Sequence, residues 1–132
     1  MKLDLPEAFR AQILAESARA RPNECCGLIE GTREPASWRV TALHATNNTA
    51  DDPRRRFLID PQAHFRLLRA MRGTTREIIG CYHSHTDGEP ALSATDRASA
   101  TDENFVWIVA AGGALRAWVF AGGLFVPMGL RP

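Results

Sequence analysis

The sequence predicts an α+β protein in which a curved, mixed, mostly antiparallel sheet is flanked by three helices. Short apolar runs indicate buried strands, and three segments with helical patterns lie between them. Two Ala-Gly-Gly turns, at 111–113 and 121–123, are typical of hairpin connections between antiparallel strands. Because a chain of 132 residues and 14.5 kDa has the size of one ordinary domain, we predict a single domain over residues 1–132.

The first and third helices are predicted from their N-terminal signals. Residues 6–20 begin with a proline, which suits a first helical turn, and their apolar side chains recur near helical spacing. The third helix is expected to begin at Ser93, because a serine hydroxyl is a preferred N-cap, and to extend to about residue 102.

The second helix is predicted over residues 62–72. We expect it to bury Phe65, Leu68 and Met71, and to expose its arginines. We place His64 at its surface.

Strands are predicted where apolar or alternating runs are too short for helices. They cover residues 25–31, 38–46, 57–59, 77–85, 105–110, 115–120 and 124–128. His44 lies inside the second of these strands with no second ligand near it in the sequence, so we interpret it as a polar sheet residue.

Composition and charge limit the kinds of partner and compartment. A net charge of +1 gives no general drive toward nucleic acid or an anionic membrane. No basic-then-apolar leader opens the chain and no apolar run approaches ~20 residues, so we expect neither secretion nor membrane spanning. The three cysteines, Cys25, Cys26 and Cys81, form no legible disulfide framework and are interpreted as small core residues in a reducing cytoplasm.

Two histidines and an aspartate form a candidate metal site. His83 and His85 stand one residue apart in a predicted strand, so their imidazoles share one face while Ser84 points to the other. Asp96, eleven residues after His85, joins them if the intervening loop turns back. Nitrogen and oxygen ligands of this kind suit zinc, and three protein ligands leave a fourth tetrahedral position open, as in catalytic sites.

The same residues also allow a structural interpretation. A His-x-His pair in a strand is often a hydrogen-bonded polar pair, and Ser93-x-x-Asp96 is typical of a helix start. The two interpretations are compatible, because a helix beginning at Ser93 would hold the Asp96 carboxylate rigidly. Cys81 lies on the same face, one pleat deeper, and we interpret it as packing.

A run of three arginines, Arg54, Arg55 and Arg56, lies in a predicted loop. Such a run is often only a solvated surface, but it can also attract an acidic partner. The sequence leaves both alternatives open, and we keep the three residues as candidate substrate-binding residues.

The motif resembles that of a known family. His83-x-His85, seven residues and then Ser93-x-x-Asp96, with Glu24 opening an upstream apolar strand, resembles the JAMM motif of the MPN+ (Mov34/PAD-1, JAB) zinc metalloproteases. The likeness extends over most of the chain. CGLIEG at 26–31 is similar to the first strand of that fold, and NNTADDPRRRFLIDP at 47–61 resembles its usual lead into the second helix.

Two positions depart from the family pattern. Thr86 and Leu92 stand where bacterial members often have proline. Neither supplies a ligand, so the departures concern the shape of the loop.

The resemblance implies a compact bacterial-type peptidase with the curved sheet and helix layering also found in cytidine deaminases. It implies one Zn²⁺ per chain held by His83, His85 and Asp96, with Glu24 as general base and Ser93 as donor to the oxyanion. The family cleaves peptide or isopeptide bonds at the C-terminus of ubiquitin or ubiquitin-like proteins. The implied partner is therefore the Gly-Gly tail of a ubiquitin-like or sulfur-carrier protein, and the oligomeric state stays open.

Other functions remain in view. A non-catalytic MPN module that scaffolds a complex is one, although its metal-free members lack the ligand set present here. An enzyme with the same motif acting on another amide is a second. Zinc deaminases are excluded because their Pro-Cys-x-x-Cys is absent.

Overall fold

The computed structural model describes residues 1–132 and contains seven strands and three helices. The strands are β1 (Lys2–Asp4), β2 (Cys26–Arg33), β3 (Ser37–Thr46), β4 (Ile78–Ser84), β5 (Phe105–Ala111), β6 (Ala114–Ala121) and β7 (Leu124–Arg131). The helices are α1 (Glu7–Ala20), α2 (Pro61–Met71) and α3 (Ala94–Ser99). None of the helices is long and apolar enough to cross a membrane.

The strands form one sheet in the order β1-β3-β2-β4-β5-β6-β7, and this sheet closes into a barrel. β4 pairs with β5 in parallel, β1 pairs in parallel with both β3 and β7, and the other neighbours are antiparallel. The predicted mixed, mostly antiparallel sheet is confirmed. The closure was not predicted, because a strand of three residues such as β1 carries no periodic signal.

Two predicted elements are corrected. Residues 57–59 do not form a strand, since their one ladder contact is an isolated bridge between Asn48 and Ile59. The Asn48 side chain accepts a hydrogen bond from the backbone N–H of Leu58. This N–H is therefore not available to the carbonyl of a neighbouring strand. Helix α3 ends at Ser99 rather than near residue 102, because Ala100 already has extended backbone angles.

The inward face of α2 also differs from the prediction. Met71 is buried as expected, but Phe65 is 57% and Leu68 48% exposed. Leu67 packs on the sheet instead, and His64, which was placed at the surface, is half-buried and lines a pocket with Cys81 and Trp107. The face of this helix that packs on the rest of the protein is thus formed by residues 64, 67 and 71, which are spaced by three and four.

The faces of the barrel hold two apolar clusters, and β4 contributes to both. Tyr82 packs in the larger cluster with Ile13 of α1, whereas Cys81 packs in the smaller one with Leu28 and Trp107. The remaining cysteines are also buried and free, which confirms their role in packing. Because side chains alternate along a strand, His83 lies on the same side of the sheet as Cys81.

Candidate metal centre and active site

The end of β4 delivers both histidines to the site. His83 is completely buried, and its ring stacks on that of Phe57 with 4.1 Å between centroids. Burial lowers the pKa of His83. His85 follows the last residue of β4 and is partly exposed; a hydrogen bond with Asp96 raises its pKa.

The start of α3 fixes the aspartate. The backbone N–H of Asp96 donates to Ser93 Oγ at 3.0 Å, and the Ser93 N–H donates to Asp96 Oδ2 at 2.9 Å. This reciprocal pair is a capping box, which confirms the predicted helix start. Burial alone would raise the pKa of Asp96, but the hydrogen bonds of His83 and His85 outweigh it and hold that pKa well below its usual range.

The three predicted ligands meet at one point. Asp96 Oδ2 lies 3.1 Å from Nε2 of His83 and 3.1 Å from Nε2 of His85, and the two nitrogens are 3.2 Å apart. Ligands at tetrahedral zinc lie 2.0–2.2 Å from the ion, so neighbouring ligand atoms are about 3.3 to 3.5 Å from one another. The observed triangle is close to that size.

Protons alone do not satisfy this triangle. If both Nε2 atoms carry a hydrogen and donate to the ionised Asp96, the two N–H groups also face each other, which is repulsive. If one Nε2 carries no hydrogen, its lone pair faces the negative carboxylate oxygen, which is also repulsive. A cation accepts all three lone pairs at once. The donor set of two imidazoles and a carboxylate therefore fits a zinc ion.

Glu24 stands beside the triangle, ahead of β2. It is only 4% exposed, and its Oε1 is buried without a hydrogen-bond partner. Its carboxylate and the two histidines offer ligand atoms within 4.8 Å of one another. Burial raises the pKa of Glu24 to about 7, partly opposed by the charge of His85. Asp96, at 3.1 Å from both imidazoles, is the closer carboxylate and Glu24 the more distant one.

A polar cleft of about 340 Å³ opens over these residues. Its lining contains no apolar side chain and consists of Glu24, Arg54, Arg55, His85, Thr86, Asp87 and Ser93. The structure thus brings two of the three sequence-predicted arginines to the site, whereas Arg56 is not among the lining residues.

Asn48 and Ser84, which were not predicted as site residues, hold the segment that carries Glu24 in place. The Asn48 amide donates to the carbonyl oxygens of Glu24 and Arg56, each at 3.0 Å, and the Glu24 N–H donates to the Pro53 carbonyl at 2.8 Å. Ser84 holds the neighbouring Cys25 differently, because its Oγ accepts the Cys25 N–H at 2.8 Å and its own N–H donates to the Cys25 carbonyl at 3.1 Å. From the sequence, Asn48 was placed only within the segment 47–61, and Ser84 was predicted only to point away from His83 and His85. The predicted orientation of Ser84 was the available signal for its contact with Cys25.

The fold and site together define a domain of the JAB/MPN class. The family model described as prokaryotic homologs of the JAB domain matches residues 6–121. The chain belongs to this family. It is 32% identical over 112 residues to the desampylase of Haloferax volcanii, an alignment that covers 82% of this chain and 79% of that protein.

Solved structures show the same fold. A protein from Desulfitobacterium hafniense has a TM-score of 0.81 at 22% identity, covering 99% of this chain and 92% of its own. A protein from Salinibacter ruber has a TM-score of 0.68 at 32% identity, covering 100% and 92%. A JAB1/MPN domain protein from Archaeoglobus fulgidus has a TM-score of 0.57 at 14% identity, covering 100% and 97%.

Proposed function

We propose that this chain is a zinc-dependent peptidase that hydrolyses a peptide or isopeptide bond after the C-terminal Gly-Gly of a ubiquitin-like or sulfur-carrier protein. One observation carries the proposal: the triangle of His83, His85 and Asp96 stands beside the unpartnered buried oxygen of Glu24. Glu24 and His85 line the same open polar cleft, which supports a site where the proposed base and the proposed metal ligands act on one substrate.

The zinc would be held by Nε2 of His83, Nε2 of His85 and Oδ2 of Asp96. When bound, zinc supplies a Lewis acid that makes water a stronger acid and a better nucleophile at neutral pH. The capping box contributes rigidity, since it holds Oδ2 of Asp96 in one orientation.

Glu24 is the proposed general base. Its Oε1 has no partner within the chain and accepts the proton of the attacking water. Water adds its oxygen to the carbonyl carbon, the carbon–nitrogen bond breaks, and Glu24 returns the proton to the leaving amine. The products are a carboxylic acid and an amine, which become a carboxylate and an ammonium group when the acid proton passes to the amine.

Ser93 is the proposed donor to the substrate carbonyl oxygen as that oxygen gains charge. Its Oγ accepts the Asp96 N–H, which occupies a lone pair and leaves the hydroxyl hydrogen available to donate. Ser93 lines the same cleft as Glu24 and His85, so a substrate amide can lie between them.

The similarity to a desampylase supports a substrate of the ubiquitin-like class. Polar lining without apolar side chains fits an extended Gly-Gly tail, which has no side chains to bury. The three free cysteines fit a reducing cytoplasm, where we place the enzyme.

The test combines metal analysis with hydrolysis by wild type, His85→Ala, Glu24→Gln and, as a matched control, His64→Ala on α2. We expect about one zinc per chain in all but His85→Ala. Glu24→Gln should lower kcat by about 10²- to 10⁴-fold on ubiquitin-like proteins extended beyond Gly-Gly. The proposal is wrong if zinc-loaded wild type cleaves no extended or isopeptide-linked substrate, or if Glu24→Gln and chelation leave hydrolysis unchanged.

A further inference from the structure

We propose that Arg54 and Arg55 bind a carboxylate carried by the first residue after the scissile bond. This inference rests on the proposed function and adds a preference at the same site. It makes the chain an enzyme that trims a residue from a free end.

The position of the two arginines is the first step. Both line the polar cleft together with Glu24, His85 and Ser93. A substrate amide placed between Glu24 and Ser93 therefore has the guanidinium groups among its neighbours in the same cleft.

The two guanidinium groups are also available. Both arginines are exposed, and Arg54 forms no ion pair within the chain. Arg55 makes only a loose contact with Asp52, at 3.8 Å. An arginine without a partner presents a planar fork of donors that matches a carboxylate in two-point geometry.

The contacts of Glu24 connect it to the loop that carries the arginines. Glu24 returns the proton to the leaving amine, so the leaving residue lies next to it. The loop that carries the arginines is fixed to the same segment, because Glu24 N–H donates to Pro53 and the Asn48 amide joins Glu24 to Arg56. The arginines and the proposed base thus belong to one hydrogen-bonded segment, which supports binding of the leaving residue's carboxylate by these arginines.

The cleft contains two carboxylates, Glu24 and Asp87, beside the two guanidinium groups. Neither carboxylate forms an ion pair with Arg54 or Arg55, so both guanidinium groups stay available to a carboxylate of the substrate. In an isopeptide bond to an internal lysine, the lysine α-carboxylate is already part of a peptide bond. If Arg54 and Arg55 bind a free carboxylate, the enzyme prefers substrates with a single residue after the Gly-Gly. It then cleaves isopeptide bonds to internal lysines less well.

The experiment uses zinc-loaded full-length protein and three probes made from ubiquitin extended beyond its Gly-Gly. The extensions are alanine with a free carboxylate, alanine carboxamide and aspartate carboxamide. Wild type is compared with the double variant Arg54→Ala/Arg55→Ala, the double variant Arg54→Lys/Arg55→Lys, and the control Arg66→Ala, which removes one arginine charge from the exposed face of α2.

We expect kcat/KM on the free-acid probe to exceed that on alanine carboxamide by about tenfold or more. The ratio should fall toward one in the alanine double variant, recover in part with lysines, and stay at the wild-type value in Arg66→Ala. Zinc content, measured on every variant, should not change. High salt should reduce the ratio, because exposed charges are screened.

The aspartate probe separates the two sources of the carboxylate. Fast cleavage means that an acidic side chain is accepted, and slow cleavage means that the terminal carboxylate is recognised. Each supports carboxylate binding, but fast cleavage would overturn the restriction to free ends. Equal rates on all three probes, or a ratio that persists in the alanine double variant, would overturn the inference while hydrolysis stands. If no probe or isopeptide conjugate is cleaved, the proposed function fails and this inference fails with it.

Discussion

Ser84 and Cys25 exchange two hydrogen bonds that connect the two halves of the site. The Cys25 N–H donates to Ser84 Oγ at 2.8 Å, and the Ser84 N–H donates to the Cys25 carbonyl at 3.1 Å. Ser84 lies between the two histidines, and Cys25 follows Glu24. The glutamate and the histidine pair are therefore connected by one backbone hydrogen bond and by one side chain on the face of the strand away from the metal.

Ser84→Ala should destabilise the protein by ~1 to 3 kcal/mol, because it leaves the Cys25 N–H buried without an acceptor. Urea unfolding measures this loss. Ser99→Ala, which removes an exposed hydroxyl bonded within α3, serves as control and should cost less than about 0.5 kcal/mol. Equal stabilities of the two variants would mean that the Ser84 hydroxyl does not hold Cys25.

Ser93 has two roles that a pair of substitutions separates. Glycine is nearly as good an N-cap as serine, so Ser93→Gly should cost only a few tenths of a kcal/mol in stability, whereas Ser93→Ala should cost ~1 kcal/mol. Both variants lack the hydroxyl donor, so in both the activation free energy of hydrolysis should rise by ~3 kcal/mol. This rise corresponds to a decrease in kcat of about 100-fold. If Ser93→Gly keeps full turnover, the hydroxyl acts only as a cap.

Asn48→Asp should disturb the loop that carries the arginines. The amide nitrogen donates to backbone carbonyls of Glu24 and Arg56, and a carboxylate oxygen in its place would face two acceptors. We expect a loss of ~2 to 4 kcal/mol in unfolding free energy. The neighbouring Asn47→Asp makes the same change at an exposed position and should be near neutral. Similar losses in both variants would refute a special role for Asn48.

Glu30 makes stability depend on acid pH. Hydrogen bonds from Arg76, with a further one from His44, lower the pKa of Glu30 below its usual range. A lowered folded-state pKa stabilises the protein above the unfolded value, near ~4.3, and this contribution is lost as pH falls through the folded value. Thermal unfolding below pH ~4.5 should therefore be less steeply pH-dependent in Glu30→Gln than in wild type.

The control for this prediction is Glu34→Gln, at an exposed glutamate one residue beyond β2. Glu34→Gln should leave the dependence of thermal stability on pH below ~4.5 the same as in wild type. If Glu30→Gln also leaves this dependence unchanged, the contacts with Arg76 and His44 do not lower the pKa of Glu30 in the folded protein.

Much of the site was predictable because its components are local. His83 and His85 share a face through strand alternation, and Ser93 and Asp96 form a capping box within four residues. The placement of Glu24 came from the family resemblance, and the structure brings it beside the histidines. The single domain and the catalytic roles of these residues stay predictions.

The sequence by itself determined the order of the main helices and strands, the helix start at Ser93 and the spacing of the candidate ligands. Each of these features depends on residues that are close together in the chain. Tertiary structure alone decided that β1 closes the barrel, that Leu67 rather than Phe65 faces the sheet, and that Arg54 and Arg55 reach the cleft. These features rest on contacts between residues far apart in the chain. Such contacts are selected by packing and by pairing of backbone groups, which no local pattern encodes.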